Sequence, residues 1–82
     1  MKVTVYTTPG CMSCRTLMRK LDKEQVSYDV MNLELHPELT EQFRELGMTQ
    51  APIVLTSDEY SFSGFRPAKV DELIRRVKRD RK

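Results

Sequence analysis

Cys11-Met12-Ser13-Cys14 is the stretch of this chain whose residue types and spacing can carry chemistry, and it holds both of the cysteines. Two residues at i, i+3 meet on one helical turn. The start of a helix offers unpaired backbone N–H groups and about half a positive charge. A thiolate is stabilised there, and the thiolate is the reactive form, with a pKa of about 3.5 to 7.5 at such positions. The chemistry implied is a dithiol that cycles to a disulfide. Cys11, the more exposed sulfur at the helix start, attacks a partner disulfide. Cys14, one turn inside on an apolar stripe, attacks the mixed disulfide, so the partner leaves reduced and Cys11–Cys14 is oxidised. Arg15 adds local positive charge. Three other readings compete: a zinc site, which needs about four ligands and finds only His36 in addition; a cluster shared by two copies; and two inert helix cysteines. A C-x-x-C beside a βαβ pattern is a redox signature, which favours the dithiol.

The flanking residues must place these sulfurs. Lys2 to Thr7 alternates as a strand, and Thr7-Thr8-Pro9-Gly10 breaks it. Arg15 to Gln25 reads as a helix with Cys14, Leu17, Met18 and Leu21 on one stripe. Val26 to Leu33 alternates as a second strand, which completes a βαβ unit with parallel strands. His36-Pro37 opens a second helix with Leu39, Phe43 and Leu46 inward, and Gly47 caps it. After a loop at 48–52, Ile53 to Thr56 and Tyr60 to Phe62 form a hairpin around Ser57-Asp58-Glu59. Pro67 starts the last helix, with Val70, Leu73, Ile74 and Val77 inward and i, i+4 pairs Asp71–Arg75 and Glu72–Arg76 outward. The order β-α-β-α-β-β-α describes an α/β fold, one four-stranded sheet with helices on both faces. A central first strand delivers Cys11 to the sheet edge where such sites form.

The 82 residues suffice for one domain, 1–82. At 39% hydrophobic and 32% charged the composition is that of a globular chain, not a disordered one. No apolar run approaches the roughly 20 residues a membrane span needs. The N-terminus lacks a signal-peptide core, which points to the cytoplasm, where a C-x-x-C means redox or metal chemistry before a structural staple. The net charge of +2 is uneven: residues 66–82 carry eight Lys/Arg against three Asp/Glu, and residues 1–65 carry six against nine. The basic end at 75–82 reads as a solvated helix terminus or as a contact for an acidic partner or nucleic acid. The solvated reading is preferred, with no nucleic-acid or membrane partner and a monomeric chain expected.

Two further stretches belong beside the cysteines. Ala51-Pro52 is either an ordinary trans proline starting a strand or a cis bond, which would turn the Gln50-Ala51 backbone outward to pair with an extended partner peptide. In Ser63-Gly64-Phe65-Arg66-Pro67, Gly64 allows backbone shapes closed to other residues. Phe65 and Arg66 are then either a docking lip or, for Phe65, a plug for the core.

Tyr6-Thr-x-Pro-x-Cys11-x-x-Cys14, Gln50-Ala51-Pro52 and Ser63-Gly64-Phe65-Arg66-Pro67, in that order across nearly the whole chain, resemble the NrdH-redoxins, small glutaredoxin-like proteins that behave like thioredoxins. The resemblance implies a thioredoxin/glutaredoxin fold, Cys11 as nucleophile, Cys14 as resolver, and Pro52 in cis. It implies electron donation to a ribonucleotide reductase of the class Ib type and recharging by thioredoxin reductase. No cofactor is implied beyond the redox-active disulfide, with NADPH acting only through the reductase. Met12, Ser13, Gln50, Ala51, Pro52, Ser63, Gly64, Phe65 and Arg66 would form the partner-binding surface. Two positions depart from the family: Phe62 stands where Trp is usual and lacks an N–H to donate, which is expected to weaken the order of the loop, and Thr8 stands where Lys is frequent. Two other readings are a glutathione-dependent glutaredoxin and a redox-sensing binding module. The second rests on a likeness of the first motif to regulators of the arsenate-reductase-like group.

Overall fold

The computed structural model describes residues 1–81; Lys82, the last residue of the basic end, lies outside the described residues. Strand β1 (Val3–Thr7) leads to helix α1 (Met12–Lys23) and strand β2 (Asp29–Asn32). A short 3-10 turn (Leu33–Leu35) and helix α2 (Pro37–Glu45) follow, then β3 (Ile53–Thr56), β4 (Ser61–Ser63) and α3 (Pro67–Asp80). The strands lie in the order β2-β1-β3-β4. β1 and β2 run parallel, with Val5 opposite Val30. β3 is antiparallel to both β1 and β4. The first strand is therefore central, and it runs parallel to the second, as the βαβ reading requires.

Alternation along the two central strands divides the apolar residues between two layers. Val3, Val5 and Val54 point to one face, where Leu17 and Leu21 of α1 and Val70, Leu73, Ile74 and Val77 of α3 close over them. Tyr6, Ile53 and Leu55 point to the other, against Leu39 and Phe43 of α2 and Leu33. Tyr6 and Phe43 meet edge-on with centroids 4.9 Å apart. Leu17 and Leu21 are fully buried, which stabilises the fold by about 1.5–3 kcal/mol for each side chain. This packing fixes α1 against the sheet, and so fixes where its first turn stands.

Several expectations are corrected. The stretch Arg15 to Gln25 is shifted: α1 runs Met12–Lys23, with Cys11 capping its head where the dithiol reading placed it. The second strand is shorter than 26–33. Val26 belongs to the turn that ends α1, donating its N–H to the Leu21 carbonyl at 2.9 Å, and Leu33 has entered the 3-10 turn. Val30 is exposed, since β2 is an edge strand. Leu46 is also exposed, because α2 stops at Glu45 and Gly47 turns the chain away at φ +79°. Arg75 pairs with Glu72 at 2.9 Å and not with Asp71, whereas the Glu72–Arg76 pair forms at 2.8 Å.

The basic end is largely tied down. Lys78 reaches Glu24 at 2.8 Å, Arg81 donates to the Gln25 carbonyl, and the terminal ammonium of Met1 pairs with Asp80. The Lys78 ammonium hydrogen-bonded to Glu24 holds that carboxyl below the ordinary carboxylate range.

Candidate functional site

The break after β1 sets up the site. Pro9 and Gly10, the latter at φ +71°, swing the chain from the end of β1 into α1. Cys11 takes the N-cap position with extended backbone (φ −83°, ψ 106°). Its sulfur accepts the N–H of Cys14 at 3.1 Å, the bond a Ser or Asp cap would normally make. Cys11 and Cys14 are disulfide-bonded, with Cα atoms 5.3 Å apart. Their surroundings differ. Cys14 is 2% exposed beside Leu17, while Cys11 is half-buried at the mouth of a groove. Any thiolate on Cys11 would keep a backbone donor and the positive pole of α1.

Thr8, Pro9, Gly10, Cys11, Met12 and Ser13 form one side of this groove, and Gln50, Ala51, Gly64 and Phe65 the other. Met12 is 71% exposed. The Ala51-Pro52 bond is cis. Pro52 is buried behind the wall and does not line the groove; the surface offered there is that of Gln50 and Ala51.

The second loop is latched to the first. The Ser63 hydroxyl donates to the Gln50 carbonyl at 2.6 Å and accepts the Gln50 N–H at 3.1 Å. The Gly64 N–H donates to the carbonyls of Gln50 at 3.1 Å and Pro52 at 2.8 Å. Gly64 is required twice over: its φ is +80°, and a Cβ would stand 3.1 Å from the Gln50 side-chain oxygen. None of these bonds calls on residue 62. Phe62 is buried in the core beside Tyr60. The latch also changes what the groove offers. The Gln50 N–H and carbonyl are engaged, and among the described residues only the Ala51 pair of this segment lacks a hydrogen-bond partner.

Phe65 does both things weighed for it: it packs against the main core and lines the groove. Arg66 is exposed at the N-cap of α3, outside the groove lining. Arg15 is exposed one residue past Cys14. His36 lies 3.5 Å from Glu38, and among the described residues no three His, Cys, Asp or Glu come together to hold a metal ion. Thr8, Pro9 and Gly10 join the groove lining beyond the residues that the motifs single out, and their adjacency to Cys11 is the sequence signal for them.

Comparison with known proteins agrees with this arrangement. A family model described as Glutaredoxin matches residues 3–60. Glutaredoxin-like protein NrdH of Lactococcus lactis subsp. lactis is 37% identical over 71 residues, covering 87% of this chain and 97% of the relative. The chain belongs to the NrdH group of the glutaredoxin family. NrdH of Escherichia coli K12 is 33% identical over 73 residues, 89% of each chain. The solved structure of NrdH-redoxin from Escherichia coli superposes with a TM-score of 0.80 at 33% identity, covering 89% of this chain and 95% of that one. The thioredoxin/glutaredoxin fold and a thiol–disulfide oxidoreductase activity follow for this chain. No described helix is long and apolar enough to cross a membrane.

Proposed function

We propose that this NrdH-type protein is a cytoplasmic redoxin that delivers two electrons to a protein disulfide, that of a class Ib type ribonucleotide reductase. Cys11 is the nucleophile. Its thiolate attacks one sulfur of the partner disulfide, forming a mixed disulfide and releasing the partner's other sulfur as a thiolate. The Cys14 thiol, losing its proton to solvent, then attacks Cys11 Sγ. The Cys11–Cys14 bond forms, and the partner leaves as a dithiol. Thioredoxin reductase returns the pair to the dithiol with electrons from NADPH, and the chain itself needs no other cofactor.

The observation that carries this reading is the pairing of Cys11 at the N-cap, half-exposed on an open groove, with Cys14 buried one turn inside. The unpartnered backbone of Ala51 gives an extended partner segment a place to hydrogen-bond across from the sulfur, with Met12, Ser13, Gly64 and Phe65 around it. The thioredoxin-like activity profile described for the Escherichia coli protein supports thioredoxin reductase as the source of electrons.

Cys14→Ser provides the test, because it strands the mixed disulfide. Incubated with oxidised class Ib reductase, the variant is expected to form a covalent complex through Cys11 that dithiothreitol releases. In parallel, the oxidised wild type is expected to turn over with thioredoxin reductase and NADPH. Rapid turnover with glutathione alone would replace this reading with that of a glutathione-dependent glutaredoxin.

A further inference from the structure

The charges of the chain are sorted by face of the sheet. α1 and residues 66–81 cover one face and carry eleven Lys/Arg against four Asp/Glu. Residues 33–47, with α2, cover the other and carry one against four. The net +2 thus conceals +7 on one side and −3 on the other. The helix poles run in the same sense. α1 and α3 begin beside the groove, at Cys11 and just past Phe65, and present their positive ends. α2 finishes on the far side, handing the chain to the segment at 49–51, and presents its negative end.

Much of the distant positive charge is already neutralised. Lys78 has Glu24, and Arg75 and Arg76 have Glu72 and Asp58. The cations nearest the groove are not. Arg15 follows Cys14, Arg66 follows Phe65, and Arg19 and Lys69 stand about a turn further along their helices. All four are exposed, and among the described residues none has a carboxylate partner. Asp71 is the one acid in residues 66–71.

We infer that the α1/α3 side of the groove docks an acidic polypeptide segment flanking the disulfide that Cys11 attacks, with its carboxylates over Arg15 and Arg66. The inference rests on the reading of Cys11 as the nucleophile and adds the chemistry of the partner. Exposed ion pairs hold little binding energy. A one-sided field instead raises the encounter rate, by about 10- to 10³-fold in favourable cases, and fixes which way the segment lies. Nucleic acid fits less well, because strand binding draws on successive aromatic faces for stacking, and Phe65, partly buried, is the one aromatic side chain among the described residues that line the groove.

The test uses two disulfide peptides of equal length, one flanked by Asp and Glu, the other by Lys. The second-order rate of each is measured against pre-reduced protein. At low salt the acidic peptide is expected to react about tenfold faster, and at 0.5 M salt the two should converge to about twofold or less. Arg15→Glu with Arg66→Glu should reverse the preference. Because the readout is a ratio on one protein, a general loss of reactivity in the variant cancels. Lys23→Glu, about 13 Å further along α1 than Cys14, should shift the ratio less at 0.15 M salt. Equal rates on the wild type at low salt would overturn the inference and leave the reading of Cys11 intact. Equal rates together with binding of a 20-nucleotide single strand would assign the face to nucleic acid and overturn it too. Failure of both peptides to react would sink the reading of Cys11 and this inference with it.

Discussion

The two ends of α1 solve the same problem, orphaned backbone groups, with opposite consequences. At the N-terminus the Cys14 N–H is satisfied by the sulfur of Cys11, whose side chain otherwise faces an open groove. At the C-terminus Gln25 turns left-handed at φ +60°, and the Gln25 and Val26 N–H groups return to the carbonyls of Asp22 and Leu21. α2 ends in the same pattern, with Gly47 and Met48 bonding to Arg44 and Phe43. There a glycine takes the positive φ; in α1 a glutamine does so at a cost of about 1 kcal/mol. Lys78 and Arg81 then clasp that end from α3. The distal end is held by side chains from elsewhere. The reactive end is held by its own side chain, so the sulfur that reacts is also the cap.

If the ends divide the work in this way, changes at each should separate activity from stability. The largest effect belongs to the N-terminal end. Cys11→Ser should reduce disulfide-reductase turnover to background, while Cys14→Ser loses turnover but keeps a single covalent capture; capture by the Cys11 variant would erase the contrast. Next comes the packing beneath the other half. Leu21→Ala removes a fully buried side chain and should lower unfolding free energy by about 2–5 kcal/mol in urea titrations, with activity per folded molecule retained.

Smaller still, Gln25→Gly should raise stability by about 1 kcal/mol and Gly47→Ala lower it by a similar amount, both without change in turnover. The smallest effect is the clasp. Lys78 holds the Glu24 carboxyl below its ordinary range. The stabilisation is therefore present above the unfolded carboxylate value, about 4.3, and lost as pH falls through the lower folded value. Lys78→Gln should be less stable than the wild type at pH 7, and the two urea midpoints should converge as pH drops toward 3. A gap that persisted at pH 3 would show that Lys78 acts there by something other than charge.

The element order and the two cysteines were legible in the sequence because periodicity and a C-x-x-C are local signals. The cap bond made by the Cys11 sulfur was not, since cysteine is outside the usual capping set of Ser, Thr, Asp and Asn. Val26 and Tyr28 alternate like a strand, but Val26 is buried by the turn closing α1, a contact that pattern alone does not distinguish. Leu46 matched the stripe of α2, yet Gly47 ended the helix before it could turn inward. The latch between Ser63-Gly64 and Gln50 joins residues 13 and 14 apart through backbone groups. Both stretches were visible as motifs, but nothing in either announced that one would occupy the donors and acceptors of the other and leave Ala51 alone.

The most direct measurement is site-resolved alkylation of the reduced protein with iodoacetamide at pH 6.5. An ordinary cysteine, with a pKa of about 8.5, is only about 1% thiolate there. Cys11, capped by a backbone N–H and seated at the head of α1, should label well ahead of a cysteine in an unstructured peptide, with Cys14 left unmodified. Labelling at the peptide's rate, or label arriving first on Cys14, would contradict the account.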